Sequence, residues 1–403
     1  MPRRTPPRTR AWTQRGRDPA RPGRTNVHGL ADGLIRALAY VLAPALVAAC
    51  TPPEHGDAYL AALATASRDQ GAGRFAAAAS DYDEAAKVAL LANDRNEARW
   101  AAAETTARTG DIADAARRLE VIASDDSDEH QAQAAYRLAY LRIDSGDADR
   151  GWQDLEGVPR HFPTHGVAHV AVRRLVEHAD EKGPQAGLDE ARALRKDLDG
   201  TELAQIAAYL EAERIEAVGE DAAAREAYVA VADRWPYPFG SFFDDALWHA
   251  SVIDEKLGRF PAAVLDLQRL LDQRETTTIM GTYERPRYVA SILRVGALYR
   301  DRLHDRAHAR DAFHRLYTDF TNSVQRAQGL WLEAALWRDD GAADTACDRL
   351  GTLIAHFPDS RYVPCAVKEC PGLERPRAST APQACHDYIT RTTDSMASSD
   401  AGP

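Results

Sequence analysis

The sequence predicts an all-α protein, a right-handed superhelical solenoid of about eight helix-turn-helix repeats. Three observations carry this prediction. Alanine dominates the apolar residues, aromatic residues make up only 7% of the chain, and clusters of β-branched residues are sparse, which favours closely packed helices over sheets. A pattern of glycine followed by small and large apolar residues recurs along the chain. Successive copies begin 37, 36, 37, 36, 39, 46 and 37 residues apart, the length of two helices with their turns.

Size and charge set the broad class of the protein. The chain has 403 residues, of which 45% are hydrophobic, and this is enough for a packed core. Its formal net charge is −11, but nine arginines and only two aspartates lie among residues 1–49. Without the +7 of that segment, the rest of the chain carries a net charge of −18. Such an acidic surface repels nucleic acid, so we expect no nucleic-acid partner.

The N-terminal segment has the three parts of a secretory signal peptide. Residues 1–36 are rich in arginine and proline, residues 37–49 form an apolar run, and small residues precede Cys50. The apolar run is too short to span a bilayer comfortably, and it contains Pro44, which disfavours a helix. We therefore predict a cleaved signal peptide over residues 1–49 rather than a transmembrane anchor.

The residues Val47 to Cys50 (VAAC) resemble the bacterial lipobox, in which the signal peptide is cut before a cysteine that then carries a lipid. The resemblance implies that Cys50 is the lipid attachment site. Residues 50–57 would form a lipidated tether, because Pro52 and Pro53 cannot sit inside a helix. No aspartate follows the cysteine, which resembles outer-membrane sorting, so the expected location is the periplasmic face of the outer membrane. The alternative is an uncleaved, buried helix with an incidental cysteine.

The repeat is defined by a turn residue and by three positions that follow it. A small residue stands five positions after the turn residue, a large apolar or aromatic residue nine after it, and a small or apolar residue twelve after it. Histidine replaces glycine as the turn residue of the seventh copy, and the fourth copy is degenerate. The eight turn residues are Gly73, Gly110, Gly146, Gly183, Gly219, Gly258, His304 and Gly341.

Each of these positions has a physical reason. A glycine in the left-handed conformation ends the first helix of a repeat. The small residue lets the second helix approach the first, and the larger residues fill the space between them. A proline seventeen positions after the turn residue, as at Pro163, Pro236 and Pro358, stops the second helix.

These features resemble the tetratricopeptide repeat (TPR), a helix-turn-helix unit of about 34 residues. The resemblance covers residues 58–358. The segments that join the copies, such as HFPTHGVAHVAV from His161 and RWPYPFGSFFDDALW from Arg234, resemble the linkers of envelope TPR lipoproteins. Stacked TPR units imply a concave groove that binds a segment of another protein.

A stripe of residues lies ten positions before each turn residue, on the predicted first helix of each repeat. Its members are Leu63, Trp100, Tyr136, Arg173, Tyr209, Trp248, Arg294 and Trp331. Tyrosine and tryptophan are favoured anchors at interfaces, so the seven members from Trp100 onward are the candidate partner-binding groove. The alternative is that the rings pack against the previous repeat as core. Arg173 and Arg294 either pair with an acidic partner or lie on a solvated face.

No motif for catalysis, for a cofactor or for a metal stands out. The histidines with helical spacing are His161, His165 and His169, and His304 and His308. Pro163 and Gly166 interrupt the first set, and no H-E-x-x-H signature is present. The chain also lacks G-x-S-x-G, Walker and C-x-x-C motifs. We therefore expect no enzyme activity, no cofactor, no metal site and no small-molecule substrate.

Four cysteines, Cys347, Cys365, Cys370 and Cys385, lie near the C-terminus. In an exported protein they allow two disulfides, and the sequence does not determine the connectivity. One arrangement joins Cys370 to Cys385 across a loop and Cys347 to Cys365 across a helix pair. Buried free thiols are the alternative.

Three segments fall outside the repeat pattern. Residues 359–390 are predicted to form a cysteine-containing cap with a short helix. Residues 391–403 are polar and low in apolar content, which is typical of a disordered tail. The segment ETTTIMGTYERP, residues 275–286, lengthens the spacing between the sixth and seventh copies, and it is either a surface excursion or part of a binding face.

Signal peptide, lipobox and repeats together resemble bacterial outer-membrane TPR lipoproteins, among them the BamD family of the β-barrel assembly machinery. That resemblance implies a non-catalytic scaffold that binds a protein segment during envelope assembly or maintenance. An alternative is an accessory adaptor of peptidoglycan-remodelling or division complexes. A third hypothesis is a cell-wall hydrolase, but no stretch outside the repeats is long enough to contain its domain. The expected partners are an envelope protein and, through the lipid, a membrane.

Overall fold

A computed structural model describes residues 54–273 and 286–391 of the chain. Within these ranges the secondary structure consists of eighteen helices, and none of the described residues forms a strand. The prediction of an all-α protein is therefore confirmed. Sixteen of the helices form eight consecutive pairs, and the last two belong to the C-terminal cap.

The eight pairs are the predicted repeats, and we term the first helix of each pair the A helix and the second the B helix. The A helices are α1 (Asp57–Gly71), α3 (Ala92–Thr109), α5 (Gln131–Asp144), α7 (Gly166–Asp180), α9 (Ala204–Ala217), α11 (Phe243–Lys256), α13 (Pro286–Asp301) and α15 (Arg326–Asp339). The B helices are α2 (Phe75–Val88), α4 (Ile112–Ala123), α6 (Ala148–His161), α8 (Pro184–Asp197), α10 (Asp221–Arg234), α12 (Phe260–Asp272), α14 (Arg306–Thr318) and α16 (Ala343–His356). From α2 onward each of these helices contacts the next, so the pairs stack as a solenoid of TPR-like units.

The turn inside each pair is made by a residue in the left-handed conformation, as predicted. The seven turn glycines have φ between 74° and 123°, and His304 in the seventh pair has φ 51°. This conformation costs a residue with a side chain about 1–2 kcal/mol, whereas glycine adopts it readily. Nothing lies within 4 Å of the position that a Cβ would take at the turn glycines. Backbone conformation rather than close packing therefore selects glycine at these turns.

The register of the B helices follows the same pattern. The small residue five positions after the turn is fully buried at Ala78, Ala115 and Ala263. The large residue nine positions after the turn is fully buried at Tyr228 and Phe313. Burying a large apolar side chain contributes about 1.5–3 kcal/mol. The spacing read from the sequence therefore marks the residues that form the core between the two helices of a pair.

The fourth pair shows why its sequence pattern is degenerate. Helix α8 begins at Pro184, one residue after Gly183, whereas every other B helix begins two residues after its turn residue. Its buried positions are shifted accordingly, so Ala191 and Leu194 occupy the places eight and eleven residues after the turn. The turn is one residue shorter, and the packing of the helix is retained.

Prolines end three of the B helices as predicted. Helices α6, α10 and α16 each end two residues before Pro163, Pro236 and Pro358, respectively. The residue before a proline is driven away from the helical conformation, so the helix stops ahead of it. The chain then turns into the next A helix or into the cap.

Buried charged side chains tie one pair to the next. Arg142 of α5 is 7% exposed and lies between Glu120 of α4 and Asp154 of α6, with hydrogen bonds to both. Asp254 of α11 is fully buried, and Arg225 of α10 lies 3.1 Å from its Oδ2 atom. A buried charge is tolerated only when it is paired. In both cases an A helix is therefore held against the B helix of the preceding pair.

The C-terminal cap corrects the suggested pairing of the cysteines. The cap contains α17 (Val363–Glu369) and α18 (Asp387–Arg391). Disulfides join Cys347 to Cys370 and Cys365 to Cys385, with Cα atoms 5.7 and 4.6 Å apart. The arrangement that joined Cys370 to Cys385 and Cys347 to Cys365 is wrong. Because α17 packs against α16, Cys370 at its end reaches Cys347 on α16, and Cys365 is left for the returning chain.

The boundaries at both ends of the array differ slightly from the predicted ones. Helix α1 begins at Asp57, one residue before the predicted start of the array. Helix α18 ends at Arg391, the residue at which the predicted tail begins. The predicted signal peptide with its lipobox, the tether up to residue 53, the insertion up to residue 285 and the tail from residue 392 lie outside the described residues.

Candidate protein-binding face

The A helices form the inner layer of the solenoid. Helix α7 contacts both α5 and α9, and α11 contacts α13, although these helices are not consecutive in the chain. In the described part of the chain, successive B helices make no comparably extensive contact with each other. In a curved stack the helices on the inside of the curve lie closer together than those on the outside. The surface of the A helices is therefore the concave face expected of stacked helix pairs.

Two rings of the stripe are core residues. Tyr209 is 5% exposed and stacks on Phe242, with ring centroids 4.5 Å apart. Trp331 is 2% exposed and stacks on Tyr362, with centroids 5.7 Å apart. Both partner residues stand directly before the next helix, at the N-caps of α11 and α17. These two rings are therefore core residues, as the alternative interpretation expected. They pack against the following element of the solenoid, however, and not against the previous repeat.

The other three rings of the stripe, Trp100, Tyr136 and Trp248, are only half-buried. Trp100 lies parallel to the imidazole of His130, with centroids 5.4 Å apart and planes 8° from parallel. Tyr136 lies 4.8 Å from the ring of Tyr140, one turn further along α5. Each of these rings is held by a neighbour and keeps part of its surface accessible. They are the rings of the stripe that remain candidates for contact with a partner.

Trp248 is flanked by two arginines of the next A helix. The guanidinium carbons of Arg287 and Arg294 lie 5.0 and 5.2 Å from its ring centroid, which is cation–π distance. Arg287 is also 2.9 Å from Asp245, and Arg294 hydrogen-bonds to Glu255. These contacts hold the indole ring in one orientation. Arg294, a member of the stripe, is therefore paired within the chain.

A second row of residues, not predicted from the sequence, shares the face of the stripe. Residues four positions apart lie on one side of a helix, so the position four after each stripe residue also faces inward. In the second to fifth pairs this row consists of Glu104, Tyr140, Glu177 and Glu213. In the sixth to eighth pairs it consists of Val252, Leu298 and Ala335. The spacing of four residues was the signal in the sequence that could have found it.

The second row links neighbouring A helices through hydrogen bonds. Glu104 of α3 accepts a hydrogen bond from Arg137 of α5 at 2.8 Å. The hydroxyl of Tyr140 on α5 accepts one from Arg174 of α7 at 2.7 Å. Charge-assisted hydrogen bonds of this kind are stronger than neutral ones. The concave face is therefore held together by its own polar side chains, and several of its charges are already neutralised.

Glu213 is a poorly satisfied carboxylate in the middle of this face. Its Oε2 atom is buried and has no hydrogen-bond partner among the described residues, although Arg173 and Arg214 lie 3.8 and 3.6 Å away. Burial raises the pKa of Glu213 above the ordinary value of 4.5. Burial also raises the pKa of Tyr209, one turn earlier on α9. Glu213 therefore places an incompletely paired carboxylate in the middle of the concave face.

The histidines with helical spacing do not come together as metal ligands. The Nδ1 atom of His165 accepts a hydrogen bond from the backbone of Val167 at 3.2 Å and caps α7. The Nδ1 atom of His161 lies 2.8 Å from a carbonyl oxygen one turn earlier in α6. His308 pairs with Asp305 at 2.6 Å. Each of these three side chains has a local contact of its own.

The fold and this face define the class of the protein. It is an all-α helical-repeat protein with eight TPR-like pairs among its described residues, and its A helices present half-buried aromatic rings on the concave side. Across residues 54–273 and 286–391, no helix combines the length and the apolar character that crossing a bilayer requires.

No family model and no curated protein matches the sequence. Similar solved structures include PilF of Pseudomonas aeruginosa, with 15% identity, coverage of 57% of this chain and 93% of that chain, and a TM-score of 0.34. The C-terminal part of a TPR repeat-containing protein from Cytophaga hutchinsonii has 12% identity, coverage of 76% and 98%, and a TM-score of 0.33. A TPR protein from Parabacteroides merdae has 10% identity, coverage of 67% and 95%, and a TM-score of 0.30. Because these likenesses are distant, the class rests on the geometry of the eight helix pairs.

Proposed function

We propose that the protein is a non-catalytic scaffold that binds a segment of another protein along the concave face of its A helices. The observation that carries the proposal is the partial exposure of Trp100, Tyr136 and Trp248, three rings already held by neighbouring side chains. Rings that are rigid before binding lose little entropy when a partner packs against them. Their distribution over the second, third and sixth pairs suits an extended segment better than a compact ligand.

We extend the proposal to the bacterial envelope, where the protein would be held by a lipid on Cys50 at the periplasmic face of the outer membrane. The support is the sequence of the N-terminal segment, with its basic residues, its short apolar run and its lipobox-like VAAC. In this setting the scaffold serves envelope assembly or maintenance. The second candidate function, an adaptor for peptidoglycan-remodelling or division complexes, uses the same face and differs only in its partner.

A matched pair of exposed valines tests the concave face. Val170 lies on α7, three residues before Arg173 and on the same side of the helix, and it is 47% exposed. Val121 lies on the B helix α4 and is 56% exposed. A photo-crosslinking amino acid placed at either position of the full chain, in its own cells, should give a discrete adduct from position 170 and none from position 121. The same adducts from both positions, or none from position 170, would contradict the proposal.

The identity of the adduct separates the two candidate functions. A subunit of the barrel-assembly machinery would support the role in envelope assembly, whereas a cell-wall enzyme would support the role as an adaptor. Turnover of purified peptidoglycan by the protein alone would overturn the non-catalytic part of the proposal.

The lipid anchor is tested by metabolic labelling with an alkyne-tagged fatty acid. We expect the wild-type protein to carry the label and the Cys50→Ser variant to lack it. An unlabelled wild-type protein, or a labelled variant, would remove the anchor from the proposal without affecting the test of the concave face.

A further inference from the structure

The linker between the second and third pairs contains a compact group of side chains of the types that bind metals. It has the sequence DDSDEH, from Asp125 to His130, and it joins α4 to α5. Asp128, Glu129 and His130 each place one ligand atom within 4.8 Å of the other two. Acidic residues alone would not make a site, so the surroundings of the histidine decide what this group can bind.

The two ring nitrogens of His130 both face carboxylates. Its Nε2 atom lies 3.1 Å from Oε2 of Glu97 on α3, and its Nδ1 atom lies 3.3 Å from Oδ1 of Asp128. The Nδ1 atom is buried and has no hydrogen-bond partner among the described residues, and the same holds for Oδ2 of Asp128. Asp128 is only 4% exposed, and within the described part of the chain the one hydrogen bond to its carboxylate comes from the backbone N–H of His130, which lies 2.9 Å from Oδ1.

Nδ1 of His130 and Oδ1 of Asp128 cannot face each other as two bare acceptors, so a proton or a cation lies between them. If Nε2 donates its proton to Glu97, the lone pair of Nδ1 points toward a carboxylate oxygen, and two acceptors at this distance repel each other. Arg99 is the nearby cation, but it lies 3.2 Å from Asp125 and 3.8 Å from Oδ2 of Asp128, on the other side of that carboxylate. A proton on Nδ1 or a metal cation bound there removes this repulsion.

We propose that His130 through Nδ1, together with the carboxylates of Asp128 and Glu129, binds a divalent transition ion of the zinc type. An imidazole ligand favours such an ion over calcium or magnesium, which prefer oxygen ligands alone. The two carboxylates balance the charge of the ion. Three protein ligands leave room for water in a tetrahedral site.

The neighbours of the three ligands suit this assignment. A histidine bound to a metal through one nitrogen donates the proton of the other to a carboxylate or carbonyl, which fixes its orientation, and Glu97 is placed to accept that proton. Asn96 donates a hydrogen bond to Oε2 of Glu129 at 2.8 Å and steadies the second carboxylate. Both Asn96 and Glu97 lie on α3, so an ion at this place would join the second A helix to the linker that starts the third pair.

Titration of the full chain with Zn²⁺, followed by calorimetry, tests the site. Every protein carries Cys50→Ser and keeps its disulfides oxidised, so that no thiol competes. We expect the otherwise unchanged chain to bind one equivalent tightly. His130→Gln and Asp128→Asn should each bind at least about tenfold more weakly, and Glu97→Gln about 10- to 100-fold more weakly. His308→Gln, which alters an exposed His–Asp pair, is the matched control and should bind as tightly as the chain that carries only Cys50→Ser.

Equal affinity and stoichiometry in the His130→Gln variant and its parent would overturn the proposal and leave a proton, rather than an ion, between His130 and Asp128. A second measurement does not depend on the folding of any variant. X-ray absorption of the zinc-loaded parent should show one imidazole and otherwise oxygen neighbours at about 2.0–2.2 Å. Two or more imidazoles, or none, would place the ion elsewhere and overturn the assignment.

Discussion

Tyr209 and Phe242 stack across the junction of the fifth and sixth pairs, with ring centroids 4.5 Å apart and planes 17° from parallel. Tyr209 belongs to the stripe, and Phe242 is the residue before the next A helix. The contact makes this tyrosine part of the junction rather than of the accessible surface. Trp100 stacks in the same way on His130, the residue before α5, yet it is only half-buried. The stripe therefore contains buried and half-buried rings at equivalent positions, and mutations should separate them.

Alanine substitutions should distinguish the two kinds of ring. We expect Tyr209→Ala to lower the free energy of unfolding by about 3–5 kcal/mol, the usual cost of deleting a buried aromatic ring. Tyr136→Ala should cost about 1 kcal/mol, because its ring is half-buried. Guanidinium denaturation followed by circular dichroism measures both changes. Equal losses would show that exposure does not separate the two residues.

Replacing a half-buried ring should weaken partner binding without unfolding the protein. Trp248→Ala should remove the crosslinked adduct at position 170 while the helical content of the protein is retained. If the adduct persists at its original intensity, Trp248 is not part of the binding surface.

The two disulfides should stabilise the cap more than the rest of the solenoid. They close loops with sequence separations of 23 and 20 residues, and loop closure of this size contributes about 3 kcal/mol per bond. Reduction should make the segment after Pro358 sensitive to protease while the earlier pairs stay resistant, because repeats contact only their neighbours. Limited proteolysis with mass spectrometry measures this difference. Peptide mapping of the oxidised protein that joined Cys370 to Cys385 would contradict the connectivity.

His304 is the turn residue at which a substitution should stabilise the protein. Its left-handed conformation favours glycine, so His304→Gly should raise the free energy of unfolding by about 1 kcal/mol. Gly146→Ala, at an equivalent turn with φ 97°, should lower it by about 1–2 kcal/mol. A loss of stability in His304→Gly would mean that the imidazole makes contacts that outweigh the strain.

Glu216 should stabilise the fold only while it is ionised. Its hydrogen bond with His249, followed by that with Tyr228, lowers the pKa of the carboxyl below its ordinary 4.5. Because the pKa is lower in the folded state, the ionised carboxylate stabilises the fold at pH values above 4.5. This contribution is lost as the pH falls through the pKa of the folded state. Glu216→Gln should therefore melt lower than wild type at pH 6.5, and the difference between the two melting temperatures should shrink progressively as the pH falls below 4.5. A difference that does not change with pH would exclude the charge as its cause.

Glu213, on the same helix, should show the opposite sign. Desolvation raises its pKa above 4.5, so the ionised carboxylate destabilises the folded state at neutral pH. Glu213→Gln should raise the melting temperature at pH 7.5, and the gain should disappear as the pH falls below 4.5, where wild type is also neutral. A lower melting temperature for the variant at pH 7.5 would mean that the attraction of Arg173 and Arg214 for the carboxylate exceeds the cost of its desolvation.

Local rules explain what the sequence determined by itself. The number of pairs, the turn residues from Gly73 to Gly341 and the burial of residues such as Ala78 and Tyr228 depend on backbone conformation and on the period of a helix. Both act over a few residues, so they can be read from the order of the residues. The fourth pair also consists of two helices, although its turn at Gly183 is one residue shorter than the turns of the other pairs.

Only the tertiary structure decided which rings are accessible, which cysteines pair and what surrounds His130. Trp100 and Tyr209 occupy equivalent positions in the repeat, yet one is half-buried and the other is core, because the residue that faces each ring comes from the next pair. Cys370 reaches Cys347 because α17 docks on α16. These outcomes depend on how each pair packs against its neighbour, and that packing is set by contacts between residues far apart in the chain, which no local pattern encodes.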